Sequence, residues 1–307
     1  MNDIINKINI LRVQTENNFR NSKAKNTERA YRSDIADFCL FCSKHNFNFM
    51  PSKPEIISLY LTHMSNSYKF STIKRRLASI KIFHRLKGHH IDLQHPVINE
   101  NLSGIKRKIG SYQKGKKPIS INILNNIINF IDSKNVNNNL LYLRDKSLLL
   151  IGFSGGFRRS ELVSLKKNDL EFVDEGLKIF IKKSKNDQFG EGLVKAIPYF
   201  KNKNYCPVEN TKTWVKNIKE NEDLIFPISD KMVSLIIKKY LNLLGMDSSL
   251  YSGHSLRSGF ATSTASYGAD ERSIMSMTGH KSVEMVRRYI KDANLFKNNP
   301  LNKLINL

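Results

Sequence analysis

The chain has 307 residues, 40% of them hydrophobic, with 50 Lys and Arg against 27 Asp and Glu, for a formal net charge of +23. That length suits two domains, the apolar content can fill a core, and so large a basic excess implies a polyanionic partner. No apolar run reaches the ~18 residues of a membrane span, residues 1–10 lack the apolar core of a signal peptide, and three cysteines cannot build a disulfide scaffold; the expectation is a cytoplasmic protein with no membrane partner.

Charge divides the chain unevenly. Residues 1–117 carry 22 Lys and Arg against 8 Asp and Glu, while residues 118–307 carry 28 against 19. The smaller, more basic part reads as helical. From Thr27 to His45, Tyr31, Ile35, Phe38, Leu40, Phe41 and Cys42 recur near helical spacing, with Asn26 as the expected N-cap. A second helix begins near Ser52, with Pro54 in its first turn and Ile56, Ile57, Leu59, Tyr60 and Leu61 inside. A third runs from Ser71, its expected cap, to Leu86, and stops at Gly88. Ile73, Leu77, Ile80, Ile82 and Phe83 are its expected core face, while Lys74, Arg75, Arg76, Lys81 and Arg85 form a basic set suited to DNA backbone or a groove. A short helix is expected over 97–109.

The run from Gly110 to Pro118 has two glycines, a proline, three lysines and few apolar anchors, so 111–117 reads as a linker. It divides an N-terminal domain (1–110) from a C-terminal domain (118–307). Beyond it the pattern predicts helices near 120–133 and 139–153, strands over 177–182 and 193–197 joined as a hairpin, and helices near 229–244, 255–267, 270–277 and 282–290. The fold class expected is mainly α (α+β): a helical N-terminal domain plus a mostly helical C-terminal domain with a small antiparallel sheet. Cys39 and Cys42 have a Cys-x-x-Cys spacing with no second ligand pair, so a helix face is the better reading than zinc or redox chemistry. The histidines at 84, 89, 90 and 95 read as a polar turn after a helix, and Trp214 as core.

Three short motifs remain. Gly155-Gly156-Phe157-Arg158-Arg159-Ser160-Glu161-Leu162 puts a glycine turn and an arginine at a helix start, a place suited to phosphate. His254 and Arg257, three apart, share a helix face. Gly279-His280 precedes a helix that carries Tyr289, nine residues beyond the histidine. Each motif alone is weak: an arginine paired with Glu161, a chance His-x-x-Arg, a packed tyrosine.

The set, in this order, resembles the tyrosine recombinase (phage integrase) family over roughly residues 24–295, most closely its compact Cre-like or Xer-like members. The resemblance implies that Arg158 and Arg257 clamp the scissile phosphate, that Tyr289 is the nucleophile, that His254 assists its deprotonation, that His280 donates to the phosphate, and that Glu161 orients its neighbours. It implies a hairpin lysine as general acid. Lys185 matches the family's Ser-Lys-Thr-Asp-Gln pattern best, with Asn186 in place of Thr, and Lys182 and Lys183 leave the register open. The implied reaction cuts and rejoins DNA through a 3′-phosphotyrosyl link, needing no cofactor, ATP or metal, for integration, excision or resolution. The implied partners are double-stranded DNA with a specific core site, bound by both domains as a clamp, a homotetramer in the synaptic complex and, as an optional addition, accessory DNA-bending proteins. Residues 1–23 look too short for a separate arm-binding domain, and the apolar tail 298–307 is expected to dock on a neighbouring protomer. Two other readings share part of this pattern: a type IB-like topoisomerase and a non-catalytic sequence-specific DNA-binding protein. A metal-dependent nuclease lacks the clustered carboxylates it would need.

Overall fold

The structure is a computed structural model that describes residues 2–21, 25–112, 115–135, 139–182, 192–294, 296 and 300–303. The chain divides into two compact units, 1–114 and 115–307. None of the described helices is long and apolar enough to cross a membrane.

The first unit is all helical: α1 (Asn2–Asn21), α2 (Lys25–Lys44), α3 (Pro54–Ser65), α4 (Phe70–Leu86) and α5 (Pro96–Ile109). Its core gathers Phe38, Phe41 and Cys42 from α2, Ile57, Tyr60, Leu61 and Met64 from α3, Ile73, Leu77 and Ile80 from α4, and Ile98 and Ile105 from α5. Proline at the first turn starts both α3 and α5, where its missing N–H costs no hydrogen bond. Several expectations need correction. The helix α1 is unanticipated, its apolar residues being diluted by asparagine, a weak helix former. Asn26 lies inside α2 and not ahead of it. Ser71 does not cap α4. The helix starts at Phe70, which packs on the core, and the Lys69 carbonyl accepts from the N–H groups of Thr72 and Ile73; burying an aromatic ring outweighs a side-chain cap worth about 1 kcal/mol. Leu40 and Leu59 face solvent, and Ile82 and Phe83 are only half-buried.

The basic set on α4 separates into two kinds. Lys74, Lys81 and Arg85 are exposed, and Arg75 is half-exposed while paired with Asp34. Arg76 is the correction. It is buried, paired with Asp37, 3.7 Å from Asp34, donating to the Tyr60 hydroxyl at 3.0 Å and stacked on the Tyr68 ring at 4.2 Å. Tyr60 in turn donates to Asp37 at 2.6 Å, and Ser79 to Asp34 at 2.8 Å. Arg76 therefore braces α2, α3 and α4 from within. Arg76→Leu is expected to destabilise the first unit by about 1–3 kcal/mol, because Asp37 loses its cation and keeps only Tyr60 as a donor, while Asp34 keeps Arg75 and Ser79; chemical denaturation of the full chain checks this.

The second unit begins tied to its own core: the Lys117 N–H donates to the Leu250 carbonyl at 2.8 Å, and Lys116 Nζ to Ser249 O at 2.6 Å. It contains α6 (Ile121–Lys134), α7 (Leu140–Ser154), the short α8 (Arg159–Val163), strands β1 (Leu170–Val173), β2 (Gly176–Ile181) and β3 (Leu193–Pro198), then α9 (Pro207–Lys216), α10 (Asp230–Leu243), α11 (Ser255–Ser266), α12 (Glu271–Thr278) and α13 (Val283–Ala293). Ser120, Asn139, Ser229 and Asp270 cap α6, α7, α10 and α12 through their side chains. The helix α7 is the spine of the core: residues 145–153 are buried without interruption, so it must be surrounded on all sides. The sheet is antiparallel in the order β1-β2-β3, with Leu170 opposite Ile179 and Leu177 opposite Ile197. Two elements are unanticipated. The strand β1 has four residues, too few to show alternation; α9, with Pro207 at its start, is anchored by Trp214, whose indole N–H donates to Ile225 O at 2.8 Å. Cys39 and Cys42 lie on α2 and Cys206 is buried ahead of α9; all three are free thiols. Of the tail, residues 300–303 form a 3-10 turn, and the expected docking helix otherwise lies outside the described residues.

Candidate active site

Five segments of the second unit converge on one spot, and backbone geometry sets each of them. Gly155 ends α7, and Gly156 turns the chain at φ +55°, where a Cβ would meet Phe260 and Thr278. The turn delivers Arg158 to the N-cap of α8. There the Arg158 N–H donates to Glu161 at 3.0 Å, and its Nη1 pairs with the same carboxylate at 2.6 Å. Glu161 is buried at 3% exposure, so this carboxylate is committed to Arg158. The other arm of Arg158 donates to Gly279 O at 3.2 Å. Gly279 ends α12 in the left-handed region (φ +62°) and reverses the chain so that His280 points back into the unit.

Arg257, one turn into α11, is 1% exposed. Its Nη1 donates to Gly156 O at 2.8 Å, while its buried Nε and Nη2 have no hydrogen-bond partner in the described protein. A buried guanidinium with two idle donors is costly unless an anion arrives to accept them. Burial, then Arg158, pulls its pKa down to about 10. It still carries its charge at neutral pH.

His254 stands just ahead of α11, with Nε2 3.1 Å from the Tyr289 hydroxyl. Partial burial, then Arg257, Arg158 and Arg159, hold its pKa below the ordinary histidine value. The neutral ring with its proton on Nδ1 leaves Nε2 free to accept from the phenol. His280 is 5% exposed. Its Nδ1 is 2.7 Å from Thr278 Oγ1, itself 2.6 Å from Ile274 O, and its ring lies 5.9 Å from that of Tyr289. Burial first, then Arg257 and Arg158, push its pKa to about 3, so it is neutral throughout the physiological range. Tyr289 is buried at 8% exposure and packs with Ala261, Ala265, Ile274 and Val286 from α11, α12 and α13. Its hydroxyl is thus held against His254 of the same chain.

Six of the seven residues singled out for chemistry, Arg158, Glu161, His254, Arg257, His280 and Tyr289, therefore meet in one place. Lys185 and Lys183 lie outside the described residues. Lys182, the third candidate, is largely exposed and pairs with Asp169 at 2.6 Å. One lysine was missed. Lys195 on β3 is 1% exposed, with Nζ 2.5 Å from Gly155 O and 4.3 Å from the centre of the Phe157 ring. Burial lowers its pKa to about 7, against the opposing pull of Glu161. The signal was present: in Leu193-Val194-Lys195-Ala196-Ile197 the lysine shares the inward face with Ile197. Among the described residues, no three His, Cys, Asp or Glu side chains converge as metal ligands.

Residues 121–295 match the Phage integrase family, and residues 19–89 match the Phage integrase, N-terminal SAM-like domain. An integrase/recombinase xerD homolog of Selenomonas ruminantium is 38% identical, over 96% of this chain and 90% of that protein. A tyrosine recombinase of Agathobacter rectalis is 29% identical, over 86% and 85%. Among solved structures, the Tn1549 transposon integrase in complex with transposon right end DNA shares the fold at a TM-score of 0.62 and 16% identity, covering 95% of this chain and 98% of that one. The family match and these relatives define a DNA breaking-and-rejoining enzyme. The chain belongs to the phage integrase family and is a tyrosine-type site-specific recombinase.

Proposed function

We propose that the chain cuts double-stranded DNA at a specific core site with Tyr289, forms a 3′-phosphotyrosyl link and releases a 5′-hydroxyl, then reverses the step with a partner strand's 5′-hydroxyl. The observation that carries this reading is the pair of idle, buried donors on Arg257 beside Arg158 and the Tyr289–His254 contact. The arginines would take the two non-bridging oxygens and stabilise the charge that grows on them as the phenolate attacks. A phenol gives up its proton only well above neutral pH in water, so attack at neutral pH calls for a base. His254, kept neutral by its surroundings, accepts that proton. His280, also neutral, offers its Nε2–H to a phosphate oxygen in the tautomer in which Thr278 turns its one hydroxyl proton from Ile274 O to Nδ1.

The link conserves the energy of the broken phosphodiester, so rejoining needs no external energy source. The leaving 5′ oxygen requires a proton, and Lys185 is the proposed donor. Lys185→Ala is expected to slow cleavage, and a 5′-bridging phosphorothioate, whose sulfur leaves without a proton, to restore it; rescue in Lys183→Ala and not in Lys185→Ala would move the role by two residues.

In the first unit, Lys74, Lys81 and Arg85, with Arg75 beside them, form an exposed basic stripe for phosphate contacts; Arg76 is withdrawn from that set because it is spent on Asp37 and Tyr60. Four protomers on two sites, the apolar tail of each docked on its neighbour, would carry the exchange through a four-way junction, in a prokaryotic cytoplasm, with accessory DNA-bending proteins an optional addition. The relatives include solved recombinase–DNA complexes, which supports DNA as substrate. The test of the reading is trapping. Nicked duplex fragments from the DNA flanking the gene are incubated with the protein in EDTA and resolved on a denaturing gel. A covalent protein–DNA band supports the reading and locates the site. Tight, sequence-specific binding without a band favours the non-catalytic alternative, and relaxation of supercoils at any sequence favours the topoisomerase.

A further inference from the structure

The Gly155–Gly156 turn decides where Arg158 sits, and its two successive carbonyls are each held by a cation from elsewhere in the fold. Arg257 on α11 takes Gly156 O at 2.8 Å, and Lys195 on β3 takes Gly155 O at 2.5 Å. The Lys195 amine also lies over the Phe157 ring at 4.3 Å, the residue between the turn and Arg158. We propose that Lys195 is a positioning residue for DNA cleavage: it clamps the turn from the sheet side, so that Arg158 and Arg257 meet the scissile phosphate in a fixed relation. The inference rests on the recombinase reading above. It is separate from the role given to Lys185, because Lys195 is committed to a backbone carbonyl within the core.

The location is unfavourable for stability alone. Among the described residues, Glu161 from α8 is the one carboxylate facing Lys195, and it is already paired with Arg158; the other charged or titratable neighbours among them are Arg158, Arg257 from α11 and His280 after α12. A methionine would fill the same space without the desolvation. A lysine in this place is accounted for by what it does to the turn and by the anion that the site awaits. Burial brings the Lys195 pKa to about 7 in the free protein. A bound phosphodiester anion favours the ammonium, so above that pH the site takes up a proton as DNA binds; below it the amine is already charged and uptake vanishes.

The test uses the full chain and a nicked duplex carrying its trapped site. Lys195→Met is expected to slow single-turnover formation of the covalent complex on the order of 10²-fold, the scale set by small misplacement of a reacting centre, while DNA affinity and the melting profile hold. Lys195→Arg, which keeps a charged donor, should recover part of the rate. Calorimetry in two buffers of different ionisation enthalpy should show proton uptake on DNA binding at pH 8 in wild type and none in Lys195→Met. If the methionine variant proves unfolded, Lys195→Gln, a shorter neutral donor, carries the same comparison. Wild-type rate and wild-type proton uptake in a folded Lys195→Met would overturn the inference while leaving the recombinase reading intact. Absence of any covalent complex with wild type on a tightly bound site would instead overturn the reading beneath it, and the inference with it.

Discussion

Tyr289→Phe is expected to abolish the covalent protein–DNA complex while leaving DNA affinity and folding unchanged. The ring is 8% exposed and packs on Ala261, Ala265, Ile274 and Val286, contacts that phenylalanine keeps. Among the described residues the hydroxyl makes one hydrogen bond, to His254 Nε2 at 3.1 Å, and His254 is partly open to water, so its loss strands no buried donor. What disappears is the attacking oxygen, and no tyrosine stands beside Tyr289 in the sequence to replace it. A denaturing gel of the two proteins on the same nicked duplex decides the point. A covalent band that survives in Tyr289→Phe would assign the nucleophile elsewhere.

Arg257→Ala carries the second large effect. The side chain holds two idle buried donors, which the proposed reading gives to the scissile phosphate, and makes one bond to Gly156 O. Removing one preorganised donor from a developing charge costs about 10²–10³ in rate, and this substitution removes two donors, a full charge and a brace of the turn. The expected loss in single-turnover cleavage is therefore at least about 10³-fold, with a smaller loss in affinity, because one phosphate contact among many governs binding. Arg257→Lys keeps the charge but not the forked geometry and should fall well below wild type. Cleavage by a folded Arg257→Ala within about tenfold of wild type would mean that under 1.4 kcal/mol of barrier lowering depends on it, and the phosphate clamp would have to be sought elsewhere.

Both expectations rest on residues that the sequence exposes, because the chemistry writes them locally. His254 and Arg257 are one helical turn apart; Arg158 follows a glycine turn; Tyr289 follows Gly279-His280 at a fixed interval. Helices α2 to α7 and α10 to α13 were legible within a few residues for the same kind of reason, since proline starts, polar caps and apolar spacing act over one or two turns. The hairpin of β2 and β3 was legible from alternation. The four-residue β1 and the asparagine-rich α1 were not, because their signals are too short or too dilute.

The sequence by itself determined the family, and that the protein would be two mostly helical units with a small sheet; it also named six residues that the fold brings together. Only the tertiary structure decided which cations face outward and which are taken inside. Lys74, Arg75 and Arg76 are adjacent in sequence, yet Arg76 alone is buried, because Asp34, Asp37 and Tyr60 from α2 and α3 converge on it. Lys195 resembles any strand lysine until β3 lays it against the carbonyl of Gly155, forty residues earlier. Burying a charge costs free energy that only partners can offset, and those partners come from segments that sequence spacing does not bring together.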